Sequence, residues 1–216
     1  MTTLDRAALT AMLADGVGAM GLPINSDQID KMISYLALLS KWNTVYNLTA
    51  VRDPREMVKQ HLLDSLSAAH AFSDAKNVLD VGAGGGLPGM ILAIIFPGVR
   101  ISMIDTVSKK TAFLTQAKTE LGLANVTVHT GRVEALQVAQ KFDVITSRAF
   151  SELNNFVNWS GHLLADGGQF IAMKGVAPNE EIERLPPGWK VDAVEELSVP
   201  GLNAERHLVY IKKISD

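Results

Sequence analysis

Apolar positions recur along the chain at two different periods, and the change between them falls near residue 74. Ile29, Met32, Ile33, Leu36 and Leu39 keep to one face of a helix that Ser26 can cap. Asp53-Pro-Arg-Glu56 carries the cap, the proline and the reaching acid that open another. Trp42-Asn-Thr-Val-Tyr-Asn-Leu-Thr49 between them reads as a polar and aromatic loop. From Asn77 short apolar runs follow one another: Val78 to Val81, Ile101 to Ile104, Val126 to His129, Phe142 to Thr146 and Gln169 to Met173. Ser108 to Leu121 puts Phe113, Leu114, Ala117 and Leu121 on one helical face and stops at Gly122. Such alternation predicts a parallel sheet with helices on both sides. Lys190 to Leu197 and His207 to Lys212, joined by a turn containing Pro200-Gly201, predict a hairpin that closes the sheet. The expected division is a helical extension over 1–73 and an α/β domain over 74–216.

Asn77-Val-Leu-Asp-Val-Gly-Ala-Gly-Gly-Gly-Leu-Pro-Gly-Met90 is a buried strand running into a glycine-rich turn and a helix. Gly82, Gly84, Gly85 and Gly86 let the backbone turn tightly and approach a ligand, and Pro88 suits the first turn of the helix. A dinucleotide fingerprint needs glycines at its first, third and sixth positions, and counting from Gly82 the sixth is Leu87. Asp80, just before the turn, would repel a pyrophosphate but suits a ligand with ammonium and sulfonium centres. S-adenosylmethionine is that ligand. Arg100-Ile-Ser-Met-Ile-Asp105 is a second strand ending in an acid, about 20 residues on, where a carboxylate can accept both ribose hydroxyls. A turn residue or helix cap before Ser108 is the competing account of Asp105.

Five strand-helix units and a terminal hairpin match the class I S-adenosylmethionine-dependent methyltransferase architecture, Rossmann-like with a mostly parallel seven-stranded sheet. Ligands in such sheets bind beyond the carboxyl ends of the strands. Asp80, Asp105, Glu134 and Arg148 are expected on that edge, since each ends or follows a strand. Glu134 has a plainer reading at the start of a surface helix, and Arg148 one in an ion pair with Glu152. The Asp/Asn-Pro-Pro-Tyr motif for exocyclic amines is absent after the fourth strand, which disfavours adenine-N6 transfer. His61 and Asp64 are three apart on a predicted helix, close enough for the acid to orient the imidazole. Lys59, Arg55 and Arg52 form a candidate basic strip beside them, and Lys174, Arg206 and His207 can add positive charge.

The totals narrow the class. With 216 residues, 47% of them hydrophobic, the chain can bury a full core. A net charge of -3 lacks the overall footprint of a generic nucleic-acid binder, though a local basic face fits within it. The absence of cysteine removes disulfides, thiolate metal sites and cysteine nucleophiles, and no metal-ligand cluster stands out. No apolar run approaches the length of a membrane span, so a cytoplasmic protein, not bound to a membrane, is expected.

The glycine segment, Tyr46-Asn-Leu-Thr49, His61-Leu-Leu-Asp-Ser-Leu66, Ser147-Arg-Ala149, Met173-Lys-Gly175 and Glu205-Arg-His-Leu208 together resemble the bacterial RsmG (GidB) small-subunit ribosomal RNA methyltransferases. The resemblance covers nearly the whole chain. It implies methyl transfer from S-adenosylmethionine to guanine N7 in 16S ribosomal RNA, naked or within a small-subunit assembly particle, by a protein expected to be a monomer. It places cofactor contacts on Gly82, Leu87, Val133, Glu134 and Arg148, with Gly84 and Asp105 added from the turn and second strand. Val133 would contribute through its backbone. It leaves His61, Asp64 and Arg206 as substrate candidates without assigned roles.

Guanine N7 carries a free lone pair at neutral pH, so no general base is expected and alignment does the work. Trp42 and Tyr46 offer stacking to RNA, against an ordinary place in the core. A non-catalytic nucleotide- or RNA-binding protein and an NAD-dependent dehydrogenase are the rival readings.

Overall fold

Val78, Leu79 and Val81 belong to a strand that is buried along its whole length, because Val78 packs into one apolar cluster and Leu79 and Val81 into another, on the two faces of the sheet. The computed structural model describes residues 3–148, 150 and 152–214. Ala149, the last residue of the Ser147-Arg-Ala149 motif, lies outside them. The strands are β1 (Asn77–Val81), β2 (Arg100–Asp105), β3 (Val126–Thr130), β4 (Phe142–Ser147), β5 (Leu164–Lys174), β6 (Trp189–Glu196) and β7 (His207–Lys213). They form one seven-stranded sheet in the order β3-β2-β1-β4-β5-β7-β6. β1 to β5 run parallel, and β7 inserts antiparallel between β5 and β6. This is the doubly wound class I methyltransferase arrangement, with the hairpin closing the sheet. The order reverses at β1 and β4, so the crevice for a ligand opens where those two strands end.

Helices α1 (Thr3–Ala19) and α2 (Ser26–Tyr46) precede the sheet, followed by a continuous helical run of α3 (Pro54–Met57), a π-helical stretch (Val58–Leu63) and α4 (Asp64–Ser67). Leu13, Met32 and Leu39 enter the same apolar cluster as Val78, Ile101 and Met103, so these helices share one core with a face of the sheet. α5 (Gly89–Ile95) and α6 (Ser108–Glu120) link the first three strands, α7 (Leu153–Ser160) lies between β4 and β5, and α8 (Asn179–Glu183) follows β5.

Four expectations shift. The cap of α2 is Asn25 rather than Ser26: its side chain accepts from Gln28 N at 2.9 Å while Gln28 Oε1 accepts from Asn25 N at 3.1 Å. The loop expected over Trp42 to Thr49 is helix as far as Tyr46, because Trp42 packs edge-on against Phe113 of α6 and tertiary contact outweighs the polar composition. Asn47, in a left-handed conformation, ends α2. The β3–β4 link holds one 3-10 turn, Val133–Ala135, instead of a full helix. β5 starts at Leu164 rather than Gln169, with the pairing to β4 shifting register between Phe142 and Val144 beside the Gly167-Gly168 pair.

Candidate functional site

β1 gives way at Gly82 to a turn fastened on both sides. Gly82 N and Ala83 N both donate to Ile104 O of β2, at 2.9 and 3.1 Å. Gly82 and Gly84 have φ of +69° and +55°, which a side chain would strain, and a Cβ on Gly82 would meet nothing within 4 Å. That face of the turn is open to a ligand. Gly85 and Gly86 serve packing instead: a Cβ would come to 3.3 Å from Leu39 at the first and 2.7 Å from Leu114 and Met90 at the second. From α2, the buried Tyr35 hydroxyl donates to Gly85 O, and burial pushes its pKa up, so it stays a donor. Pro88 stands just before the first turn of α5 and makes no side-chain capping bond, and the Leu87 side chain is buried in the core.

Asp80 stands fully buried at the base of the turn. Its Oδ2 accepts from Gly89 N at 2.9 Å, and its Oδ1 has no partner. Burial pushes its pKa up to about 7, with the Gly89 bond and Arg148 pulling the other way and Asp105 adding slightly. Asp80 is enclosed behind the turn and is not part of the cavity wall, so it acts on a cationic ligand there through the field of its charge rather than by contact.

A cavity of about 440 Å³ opens beyond the carboxyl ends of β1, β2 and β3, the size of a small-ligand site. Gly82, Asp105, Gly131, Val133 and Glu134 line it, with Phe150 and Trp159 as an aromatic wall. Asp105 Oδ2 accepts from Gly84 N and its Oδ1 from Val107 N, both at 2.9 Å. The turn-residue account of Asp105 therefore holds alongside its place in the cavity wall, since each carboxylate oxygen keeps a second lone pair for a ribose hydroxyl. Glu134 is exposed in its 3-10 turn, and Val133 is buried at the turn's base. Gly84 enters through its bond to Asp105, whereas Leu87 and Arg148 are not part of this wall.

Arg148 belongs to a second cavity, of about 370 Å³, lined by Gln60, His61, Asp64, Met173, Lys174 and Arg206 among others. Its Nη1 donates to Asp64 Oδ2 at 3.1 Å and to Gln60 O at 3.0 Å, and Arg206 Nε donates to Asp64 Oδ1 at 2.6 Å. Asp64 is thus a buried carboxylate clasped by two arginines, one just after β4 and one just before β7. Two expectations give way here. Asp64 does not orient His61: its hydrogen bonds go to the two guanidinium groups and none to the imidazole. Arg148 pairs with Asp64 rather than with Glu152. His61 instead shares a hydrogen bond between Nε2 and Thr49 Oγ1 at 2.8 Å, with Nδ1 buried and unpartnered. Burial first, then the charge of Arg148, holds its pKa down at about 4, so it is neutral at physiological pH. The π-helical stretch carries Gln60 and His61 into the cavity wall, and π-turns recur at functional sites.

Other candidate cations are engaged locally. Lys174 Nζ pairs with Glu181 at 2.8 Å, Lys59 with Glu56 at 2.8 Å, and Arg52 donates to Asn47 Oδ1 at 2.7 Å. His207 Nδ1 lies 2.7 Å from Gly175 O. Among the described residues no trio of His, Asp and Glu could hold a metal ion, and no helix is long and apolar enough to cross a membrane. Tyr35, Gln60 and Thr49 are site residues that sequence reasoning did not single out. Thr49 sits inside the quoted Tyr46 to Thr49 motif; Tyr35 and Gln60 carry no local signal.

A family model described as rRNA small subunit methyltransferase G (GidB) matches residues 28–209, which span both cavities. The chain belongs to this family. The ribosomal RNA small subunit methyltransferase G of Herminiimonas arsenicoxydans is 64% identical over 217 residues, 99% of this chain and 100% of its own length. That of Ralstonia nicotianae is 55% identical, over 92% of this chain and 93% of its own. Solved structures share the fold at low identity. A putative O-methyltransferase from Klebsiella pneumoniae aligns with a TM-score of 0.61 at 15% identity, over 97% of this chain and 99% of its own. The O-methyltransferase TomG from Streptomyces achromogenes, solved with S-adenosylmethionine, aligns with 0.61 at 15%, over 94% and 96%. In the GidB family member described here, the glycine turn, Asp105 and the Val133-Glu134 turn thus stand at one cavity, and Arg148, Asp64 and Arg206 at its neighbour.

Proposed function

We propose that the protein transfers the methyl group of S-adenosylmethionine to N7 of a guanosine in 16S ribosomal RNA, as a cytoplasmic monomer acting on naked RNA or a small-subunit particle. The observation that carries the reading is a pair of cavities whose walls include the residues that follow two neighbouring strands, β1 and β4. Asp80 of β1 pairs with Thr146 of β4, so the ligand turn after the one and Arg148 after the other open side by side. When bound, S-adenosylmethionine supplies an electrophilic methyl on a sulfonium centre.

The residues present fit that cofactor. Asp105 would receive the ribose hydroxyls, Val133 and Glu134 the adenine edge, and Gly82 with Gly84 the close approach of the amino-acid portion. The unused oxygen of Asp80 provides negative charge at the base of the turn. On the acceptor side, Arg148 and Arg206 keep N–H donors beyond those given to Asp64, and an arginine fork matches guanine O6 or a phosphate. His61 is neutral and bonded to Thr49, which suits a reaction that removes no proton before attack. Holding sulfur, methyl and N7 in line contributes roughly 7 to 11 kcal/mol. Residues 1–73 act as the RNA-side extension of the 74–216 methyltransferase domain.

The test is incubation of purified protein with unmethylated 16S ribosomal RNA, or small subunits containing it, and methyl-labelled S-adenosylmethionine. Label recovered as 7-methylguanosine is the expected product. Recovery in another nucleoside, or none with either substrate, would refute the reading.

A further inference from the structure

Tyr46 is the last residue of α2, and 40% of its surface is exposed although it is a large aromatic. Its ring is nevertheless held. Trp42, one helical turn earlier, lies against it with centroids 5.1 Å apart, and Trp42 is itself locked edge-on to Phe113 at 5.7 Å. Asn47, left-handed at the next position, fixes where the chain turns away. An exposed ring braced in this way has already lost the rotamer freedom that a ligand would otherwise have to remove.

Its surroundings are cationic. Lys109 Nζ of α6 lies over the Tyr46 ring, 5.4 Å from its centre, Arg52 reaches the adjacent Asn47, and Lys41 is exposed one helical turn before the exposed Val45. Val107 and Lys110, close to Lys109 in sequence, line the cofactor cavity, so Lys109 leaves α6 next to residues of that cavity's wall. In a chain of net charge -3, this concentration of positive side chains around an aromatic face is a local departure from the whole. Anionic, planar partners satisfy both features at once. A second copy of the chain does not, since a two-fold contact would set Lys41, Arg52 and Lys109 against themselves.

We infer that Tyr46 is a stacking platform for an unpaired base of the RNA substrate flanking the target, with the Lys109 side chain swinging off the ring to the adjoining phosphate. The inference rests on the methyl-transfer reading for the identity of the RNA. Stacking of a base on an exposed aromatic is sequence-tolerant and adds to backbone contacts.

The test uses the full chain, in vitro transcribed 16S ribosomal RNA and separate measurements of RNA binding, S-adenosylmethionine binding and methyl transfer. Tyr46→Ala should weaken RNA binding about tenfold and leave S-adenosylmethionine binding unchanged. Tyr46→Phe, which keeps the ring, should bind RNA within about twofold of wild type, by the same stacking argument. Lys109→Glu should weaken RNA binding and flatten its salt dependence. RNA affinity of Tyr46→Ala within twofold of wild type, or a parallel loss of cofactor binding, would overturn the proposal. So would a change in sedimentation of Tyr46→Ala with RNA affinity intact, which would mark a contact between copies. A wild type that binds RNA but transfers no methyl would sink the methyl-transfer reading alone, leaving the platform to be judged on binding.

Discussion

Arg206 Nε donates to Asp64 Oδ1 at 2.6 Å, joining the residue just before β7 to one 142 positions earlier in the helical run. With Arg148 on its other oxygen, Asp64 sets the spacing of two guanidinium groups at the second cavity. Its side chain is 2% exposed against 27% and 24% for the arginines, so the charge that suffers most from losing partners is the carboxylate. Removing one member of a buried pair costs about 3 to 5 kcal/mol, an upper bound here because the arginines reach solvent. Asp64→Asn should therefore lower the midpoint of thermal unfolding. It should also raise KM for RNA at least tenfold while S-adenosylmethionine affinity changes little. Equal loss of both affinities would place Asp64 in general stability rather than in positioning the arginines.

Tyr35 couples α2 to the glycine turn through its hydroxyl bond to Gly85 O. Tyr35→Phe keeps the ring and leaves a carbonyl without its donor, a loss of about 1 to 3 kcal/mol when buried. Calorimetry should show S-adenosylmethionine binding several-fold weaker, with RNA binding retained. Unchanged cofactor affinity would mean that the turn holds its shape without α2.

Asp80 gives a pH signature. Its folded-state pKa of about 7 lies above the ordinary 3.8, so the folded protein holds a proton there that the unfolded chain releases. Stability from this group is therefore present below about pH 4 and lost as pH rises through 7. Asp80→Asn should stabilise the unliganded protein at pH 8 and make no difference near pH 4. For the wild type, affinity for S-adenosylmethionine should rise between pH 6 and 8 as the carboxylate ionises, and Asp80→Asn should abolish that rise. Denaturation and calorimetry across that range check both signs.

His61 works in the opposite sense. Its folded-state pKa of about 4 lies below the ordinary 6.5, so the unfolded chain binds the extra proton, and stability is lost as pH falls from about 6.5 to 4. Catalysis should ignore it: with saturating cofactor, single-turnover rates should be flat from about pH 6.5 to 8.5. A bell centred near 7 that disappears in His61→Ala would show that the imidazole moves a proton.

The sheet and the cofactor turn were legible because their signals are local. Val78 to Val81 with Gly82 to Gly86, and Arg100 to Asp105, carry strand, turn and acid within a few residues. The second cavity is assembled from Gln60, Asp64, Arg148 and Arg206 among others, and no spacing along the chain reveals that one carboxylate serves two distant arginines. His61 with Asp64 suggested an oriented imidazole because helical spacing is visible in sequence, whereas the competing arginines are visible only in three dimensions. The extension of α2 to Tyr46 was hidden for the same reason, since Phe113 lies far along the chain.

The central claim is that the open face of the Gly82 turn receives S-adenosylmethionine. Titration calorimetry of wild type and Gly82→Val, where φ of +69° and the added side chain both oppose the native turn, tests it directly. One site per chain for S-adenosylmethionine in the wild type, lost or weakened at least tenfold in Gly82→Val with the folded spectrum retained, is the expected result. No uptake by the wild type, or equal affinity in the folded variant, would contradict the account.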